Sequence, residues 1–328
     1  MTQVLAGWIV AIAVAAAAEA QFPPPERPAS QPASKRAKKP GEFQPGVTID
    51  WNASTVRVAG RVVLQSGPLE FLACFPGKEH ESLVLLDASA THVFMALGLI
   101  GLEHGKPPTW DEAAQKLTPA SGQPIDLIWE WRNGEATRTA PALHWVRDAD
   151  FDQRAISRPL LFSGSRVRGD GRVSAEVSGS GVALVDVPDA LISMARSHTD
   201  RNAELWAMAD ERVVPPPGTP VALLIRAAQP MRFDVRLDPL GLLRIDDSVV
   251  TAADLIELID LARRVDAKFV ADIRIEARML ADRRRFERAL RESALPAESW
   301  RLLATASQPT THTNDVGTTQ PTSANNKP

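Results

Sequence analysis

Residues 233 to 265 read FDVRLDPLGLLRIDDSVVTAADLIELIDLARRV, and the apolar period changes partway through. In the first six residues Phe233, Val235 and Leu237 alternate with Asp234, Arg236 and Asp238, the two-residue period of a half-buried strand. Residues 242–245 fit as the hairpin mate of that strand. Thr251 and Asp254 then have the spacing of a capping box, with Asp in place of the usual Glu or Gln. Behind them Leu255, Leu258, Ile259 and Ala262 recur at i, i+3, i+4 and i+7, the buried stripe of a helix. A strand over residues 269–275 and a helix over 279–291, with Phe286 and Leu290 inward, complete the order ββαβα. That order predicts one sheet with helices packed on a face. Arg283, Arg284, Arg285, Arg288 and Arg291 crowd the second helix, where a Glu287–Arg291 pair supports a solvated face.

Working upstream, residues 47–228 are β-rich. Short strands are predicted at 47–50, 55–58, 60–64, 160–162, 173–177, 182–187 and 221–225. Residues 126–132, DLIWEWR, alternate around Leu127, Trp129 and Trp131 and end at an Asn133-Gly134 turn signal. Ser89 opens a helix over 91–100 that buries Val93, Phe94, Leu97 and Ile100, and Gly101 and Gly105 close it. The fold class expected is α+β, a β-rich N-terminal domain followed by a small ββαβα domain.

The ends differ from the body. Residues 4–18 are an apolar run, VLAGWIVAIAVAAAA, followed by Ala18-Glu19-Ala20, the A-x-A pattern of a signal-peptidase site. The run is short for a span of about 30 Å of hydrocarbon, so cleavage is expected, with a retained anchor as the alternative. The organisation expected is a signal peptide (1–20), a Pro/Lys-rich disordered linker (21–46), the β-rich domain (47–228), the small domain (229–303) and a disordered tail (304–328). The expected location is periplasmic or secreted, and membrane contact is expected only if the N-terminal segment is uncleaved.

Composition narrows the function. A net charge of −3 gives no general attraction to nucleic acid. One cysteine, Cys74, excludes an intrachain disulfide, a Cys₄ zinc site and a self-contained iron–sulfur cluster. The sequence lacks a G-x-S-x-G elbow, an H-E-x-x-H zinc motif, a P-loop and a Rossmann glycine pattern.

Several blocks in order resemble the YdjY domain family. They are Gly67-Pro68-Leu69-Glu70 with Leu72-Ala73-Cys74, Gly77-Lys78-Glu79-His80-Glu81-Ser82, and Ala96-Leu97-Gly98-Leu99-Ile100-Gly101-Leu102 with Gly105-Lys106-Pro107. Trp145-Val146-Arg147-Asp148, Phe162-Ser163-Gly164-Ser165, the stretch around Val187-Pro188-Asp189 and Pro217-Gly218-Thr219-Pro220-Val221 continue the likeness, which covers about residues 56–226. The resemblance implies an exported setting but no reaction. The final third is similar to the periplasmic domain of ExbD/TolR-type proteins in its order of strand, Gly-turn, capped helix, strand and helix.

Cys74, His80 and Glu81 are the one place where soft and hard metal ligands lie close in sequence. With a hairpin looping through residues 75–78, Cys74 pairs with Glu79, which puts Glu81 on its face and His80 on the other. A five-residue loop pairs Cys74 with His80 instead. The reading expected is a non-enzymatic module binding an envelope protein, a wall polymer or a small ligand, with no cofactor. The alternative is a metal- or thiol-dependent enzyme or metal carrier using Cys74, His80 and Glu81. In the first reading Cys74 is a small core residue.

Overall fold

The computed structural model describes residues 41–304, apart from 200, 202, 203, 247 and 277–279. The expected signal peptide, most of the linker and nearly all of the tail lie outside the described residues. Among the described residues no helix is long and apolar enough to cross a membrane.

The β-rich body is built on a ten-stranded sheet. Its spine is strand Gln123–Asn133, which pairs antiparallel with Ala136–Pro141 on one side and Pro220–Ala227 on the other. The two-residue loop Gly134-Glu135 joins the first pair, and Gly134 has φ +62°, a conformation glycine adopts without steric cost. Beyond Pro220–Ala227 the sheet continues through Thr55–Val62, Ser82–Leu86, Phe71–Cys74 and Val182–Ala183. Alternation on the spine buries Trp129, whose ring stacks on Trp145 at 5.1 Å and whose indole N–H donates to the Ala142 carbonyl at 3.2 Å. A smaller sheet runs in the order Gln153–Arg154, Val146–Asp148, Ala207–Ala209, Gly67–Pro68. Helix α1, Ala90–Leu99, is capped by Ser89, as its sequence predicts.

Three expectations for this body need correction. Residues 41–44 of the expected linker form a strand, Gly41–Gln44, antiparallel to Val47–Asp50, and Phe43 packs against the core. Residues 173–177 are not a strand: Ala175–Ser178 is a helical turn, α2, ended by Gly179 at φ +81°. The turn places the Glu176 carboxylate at the start of α1, where it accepts from Ser89 Oγ at 2.6 Å and the Thr91 amide at 2.9 Å. Finally, Phe71–Cys74 and Ser82–Leu86 are not a hairpin. They run parallel, with Phe71 opposite Ser82, Ala73 opposite Val84 and Cys74 opposite Leu85. Phe71–Cys74 already pairs antiparallel with Val182–Ala183, and the Phe75 amide donates to the Gly179 carbonyl at 2.9 Å. The chain is thus led away after Cys74 and returns through the 3-10 turn Glu79–Glu81.

The small lobe has its own core and a five-stranded sheet in the order Ser248–Val249, Leu243–Ile245, Val235–Leu237, Ala271–Ile275, Trp300–Ala304. The expected hairpin is present, and Ala271–Ile275 lies parallel to Val235–Leu237. Two strands exceed the expected ββαβα order: Ser248–Val249, antiparallel to Leu243–Ile245, and Trp300–Ala304, parallel to Ala271–Ile275. Helix α3, Ala252–Val265, begins with the expected capping box: Thr251 Oγ1 accepts from the Asp254 amide at 3.1 Å, and Asp254 Oδ2 accepts from the Thr251 amide at 2.9 Å. Helix α4, Leu280–Glu292, buries Phe286 and Leu290.

Helix α3 is buried on two sides. Leu255, Leu258 and Ile259 fill the small lobe's core, while Leu261 packs with Leu161 and Ala120 of the β-rich body. The exchange is reciprocal, because Ile156 of the body packs against the small lobe's core.

Candidate functional site

The contact between the lobes leaves a cleft of about 430 Å³ beside α3, within the usual range for small-molecule sites. Residues 154–159 (RAISRP), just ahead of strand Leu160–Phe162, form one wall, and Met231, Arg232 and Phe233, which enter the small lobe, form another. Asp126 from the spine and His144 from the 3-10 turn Ala142–Trp145 close the body side. Ile245, Asp246 and Ser248 close the other. Ile156, Met231, Phe233 and Leu258 give the cleft an apolar floor continuous with the small lobe's core.

The charges around this floor are unevenly satisfied. Asp126 accepts from the Gln229 amide at 3.1 Å and lies 3.8 Å from Arg226. Burial pushes its pKa up, against the pull of those two partners. Asp246 accepts from the Asp234 amide at 3.0 Å. Burial, with the charge of Arg154 added, pushes His144 below its ordinary value, so its ring is neutral at neutral pH. Arg154 and Arg232 line the cleft, and among the described residues neither has an ion-pair partner.

Arg158, also in the lining, ties the lobes together. Its guanidinium meets the Glu257 carboxylate of α3 and lies 3.4 Å from Asp254. Arg196 adds a hydrogen bond to Asp254 at 3.0 Å. The side chains of Arg158 and Glu257 are only 5% and 6% exposed. A small cavity beside Arg158 is lined by His198, Trp206, Asp148 and Asp254 among others. His198 lies against Trp206 with ring centroids 5.0 Å apart. Burial, together with the charges of Arg196 and Arg158, lowers its pKa to about 4.

Cys74, His80 and Glu81 lie elsewhere, at the parallel strand pair. Neither hairpin register describes them. Cys74 is fully buried, and burial pushes its thiol up to about 11, with Glu79 and Glu81 adding to the rise and a Ser82 hydrogen bond opposing it. The His80 side chain is 76% exposed, with Nε2 3.6 Å from Glu81 Oε2. The other Glu81 oxygen accepts from Lys78 Nζ at 2.6 Å. The turn therefore brings an exposed His80 to Glu81, while the thiol is buried beneath it, hydrogen-bonded to Ser82 and the Lys78 backbone. Among the described residues no group of three His, Cys, Asp or Glu side chains gathers as a metal site requires.

Sequence reasoning missed the cleft residues because they come from separate segments, and none carries a local motif. A family model described as the YdjY domain matches residues 47–226, just over half the chain. No curated protein and no solved structure matches. The matched region ends where the body gives way to the small lobe, and it supplies one wall of the cleft. This chain belongs to the YdjY domain family.

Proposed function

We propose that the protein is an exported bacterial envelope protein acting as a non-enzymatic binding module, with the interlobe cleft as the seat of a small ligand. One observation carries the reading: a cleft of about 430 Å³ with both apolar and charged lining is walled by both lobes, and its Arg154 and Arg232 have no ion-pair partner among the described residues. Pockets that combine an apolar body with a few polar groups suit ligand binding. The apolar run ending in Ala18-Glu19-Ala20 supports the exported setting. The likeness of the small lobe to ExbD/TolR-type periplasmic domains supports the same compartment.

The geometry favours this reading over a metal- or thiol-dependent enzyme or carrier. A nucleophilic or metal-binding cysteine acts as the thiolate, whereas Cys74 is buried and held protonated.

A ligand-observed NMR screen of small fragments, run on the full chain and on Ser157→Trp, tests the reading. Ser157 is exposed and lines the cleft, so the indole fills the space without entering a core. Fragments that bind the parent and lose binding in Ser157→Trp support the cleft. Binding that is unchanged by the substitution, or no binding at all, overturns it.

A further inference from the structure

The balance of donors and acceptors in the cleft points to the chemical class of its occupant. Both lining carboxylates already accept backbone hydrogen bonds, Asp126 from Gln229 and Asp246 from Asp234. The donors are in the opposite state. Arg154 and Arg232 have no ion-pair partner among the described residues, whereas the third lining arginine, Arg158, is taken by Glu257 and Asp254. Arg154 and Arg232 are exposed, so an incoming oxyanion meets their donors without displacing a protein carboxylate. Arginine's planar fork suits carboxylate and phosphate oxygens, which take two parallel hydrogen bonds from it.

From this we infer that the cleft takes a small organic oxyanion, a carboxylate or phosphate head on a short apolar group, with the head held by Arg154 of the body and Arg232 of the small lobe. The inference rests on the cleft being the ligand seat and adds the ligand's charge and shape. The apolar part lies on Ile156, Met231, Phe233 and Leu258, and the head lies toward the two arginines. Because the arginines belong to different lobes, an oxyanion bridging them also fastens the lobes together.

Titration calorimetry on the full chain with four probes tests the assignment: hexanoate, hexyl phosphate, hexanamide and hexylamine. The anions should bind about tenfold or more tighter than the amide, the value of one charge-assisted hydrogen bond. Comparing hexanoate with hexyl phosphate shows which head is preferred. Arg154→Gln combined with Arg232→Gln should bring the anions down to the level of the amide. Both positions are exposed, and an unchanged urea midpoint verifies the fold of the variant. Hexanamide or hexylamine binding as well as the anions, or anion binding unchanged in the double variant, overturns the inference. If a neutral or cationic probe binds and is lost in Ser157→Trp, the ligand class fails and the cleft stands. If no probe and no screened fragment binds, both fail.

Discussion

The guanidinium of Arg158 rests on the carboxylate of Glu257, and the two nearly buried side chains come from different lobes. Asp254, one turn earlier on α3, takes Arg158 and Arg196 on one oxygen and its own Thr251 amide and hydroxyl on the other. The same carboxylate thus caps the helix and fastens it to the body.

Removing one partner of this pair should cost far more than removing both. Arg158→Ala leaves Glu257 charged and buried, at an expected cost of about 3–5 kcal/mol. Arg158→Met with Glu257→Leu replaces the pair by apolar groups of similar size and should restore most of the loss. Urea unfolding midpoints of the single and double variants check this. A double variant as unstable as the single one contradicts it.

Acid should weaken the fold in two stages. Folding holds His198 near pKa 4 against an ordinary value of 6.5, so below pH 6.5 the unfolded chain binds a proton that the folded one refuses. Its contribution is fully present above pH 6.5 and is lost as pH falls to about 4. For Asp254, burial opposes the charge, but the Thr251 hydrogen bonds, Arg158 and Arg196 outweigh it and hold the carboxyl below its ordinary value. That contribution is present above about pH 3.9 and is lost as pH falls through the lower folded value. Thermal midpoints between pH 7 and 4 should fall in the parent and fall less in His198→Gln. Parallel curves contradict the assignment.

Gly46 should tolerate no side chain. It has φ +76°, and a Cβ there would lie 1.9 Å from the Asp87 carbonyl oxygen, a backbone atom that cannot simply rotate away. Gly46→Ala is expected to cost more than about 2 kcal/mol, although residues 41–46 read as linker. A chemical denaturation midpoint close to that of the parent would falsify this.

Most of the small lobe was legible because its periods are local. The capping box at Thr251 and Asp254 and the stripe Leu255, Leu258, Ile259, Ala262 are all realised. The stripe could not show that Leu261 and Glu257 would also be buried, since reading one stripe assumes one core. The parallel pair had a signal of its own. FLAC (71–74) and SLVLL (82–86) run almost continuously apolar rather than alternating, the mark of strands buried on both faces. The intervening Pro76-Gly77 is a turn dipeptide, which in the sequence alone favours a hairpin. The cleft was not legible, because only tertiary packing brings Asp126, His144, Arg154 and Arg232 together.

Cys74 should behave as an inert core thiol. With its pKa pushed to about 11 and the residue fully buried, alkylation at pH 8 should be slow in the native protein and fast in denaturant. Cys74→Ala should lower stability by about 1 kcal/mol through lost packing. Fast native labelling, slowed by added zinc, contradicts the core role.

The most direct test of the cleft as the ligand seat is an amide-resolved NMR titration of the ¹⁵N-labelled protein with hexanoate. Saturable shifts are expected at Ala155, Ile156, Ser157, Arg158, Arg232 and Phe233, with Cys74 to Ser82 unmoved. Shifts centred on Cys74, His80 and Glu81, or none at the cleft, would contradict it.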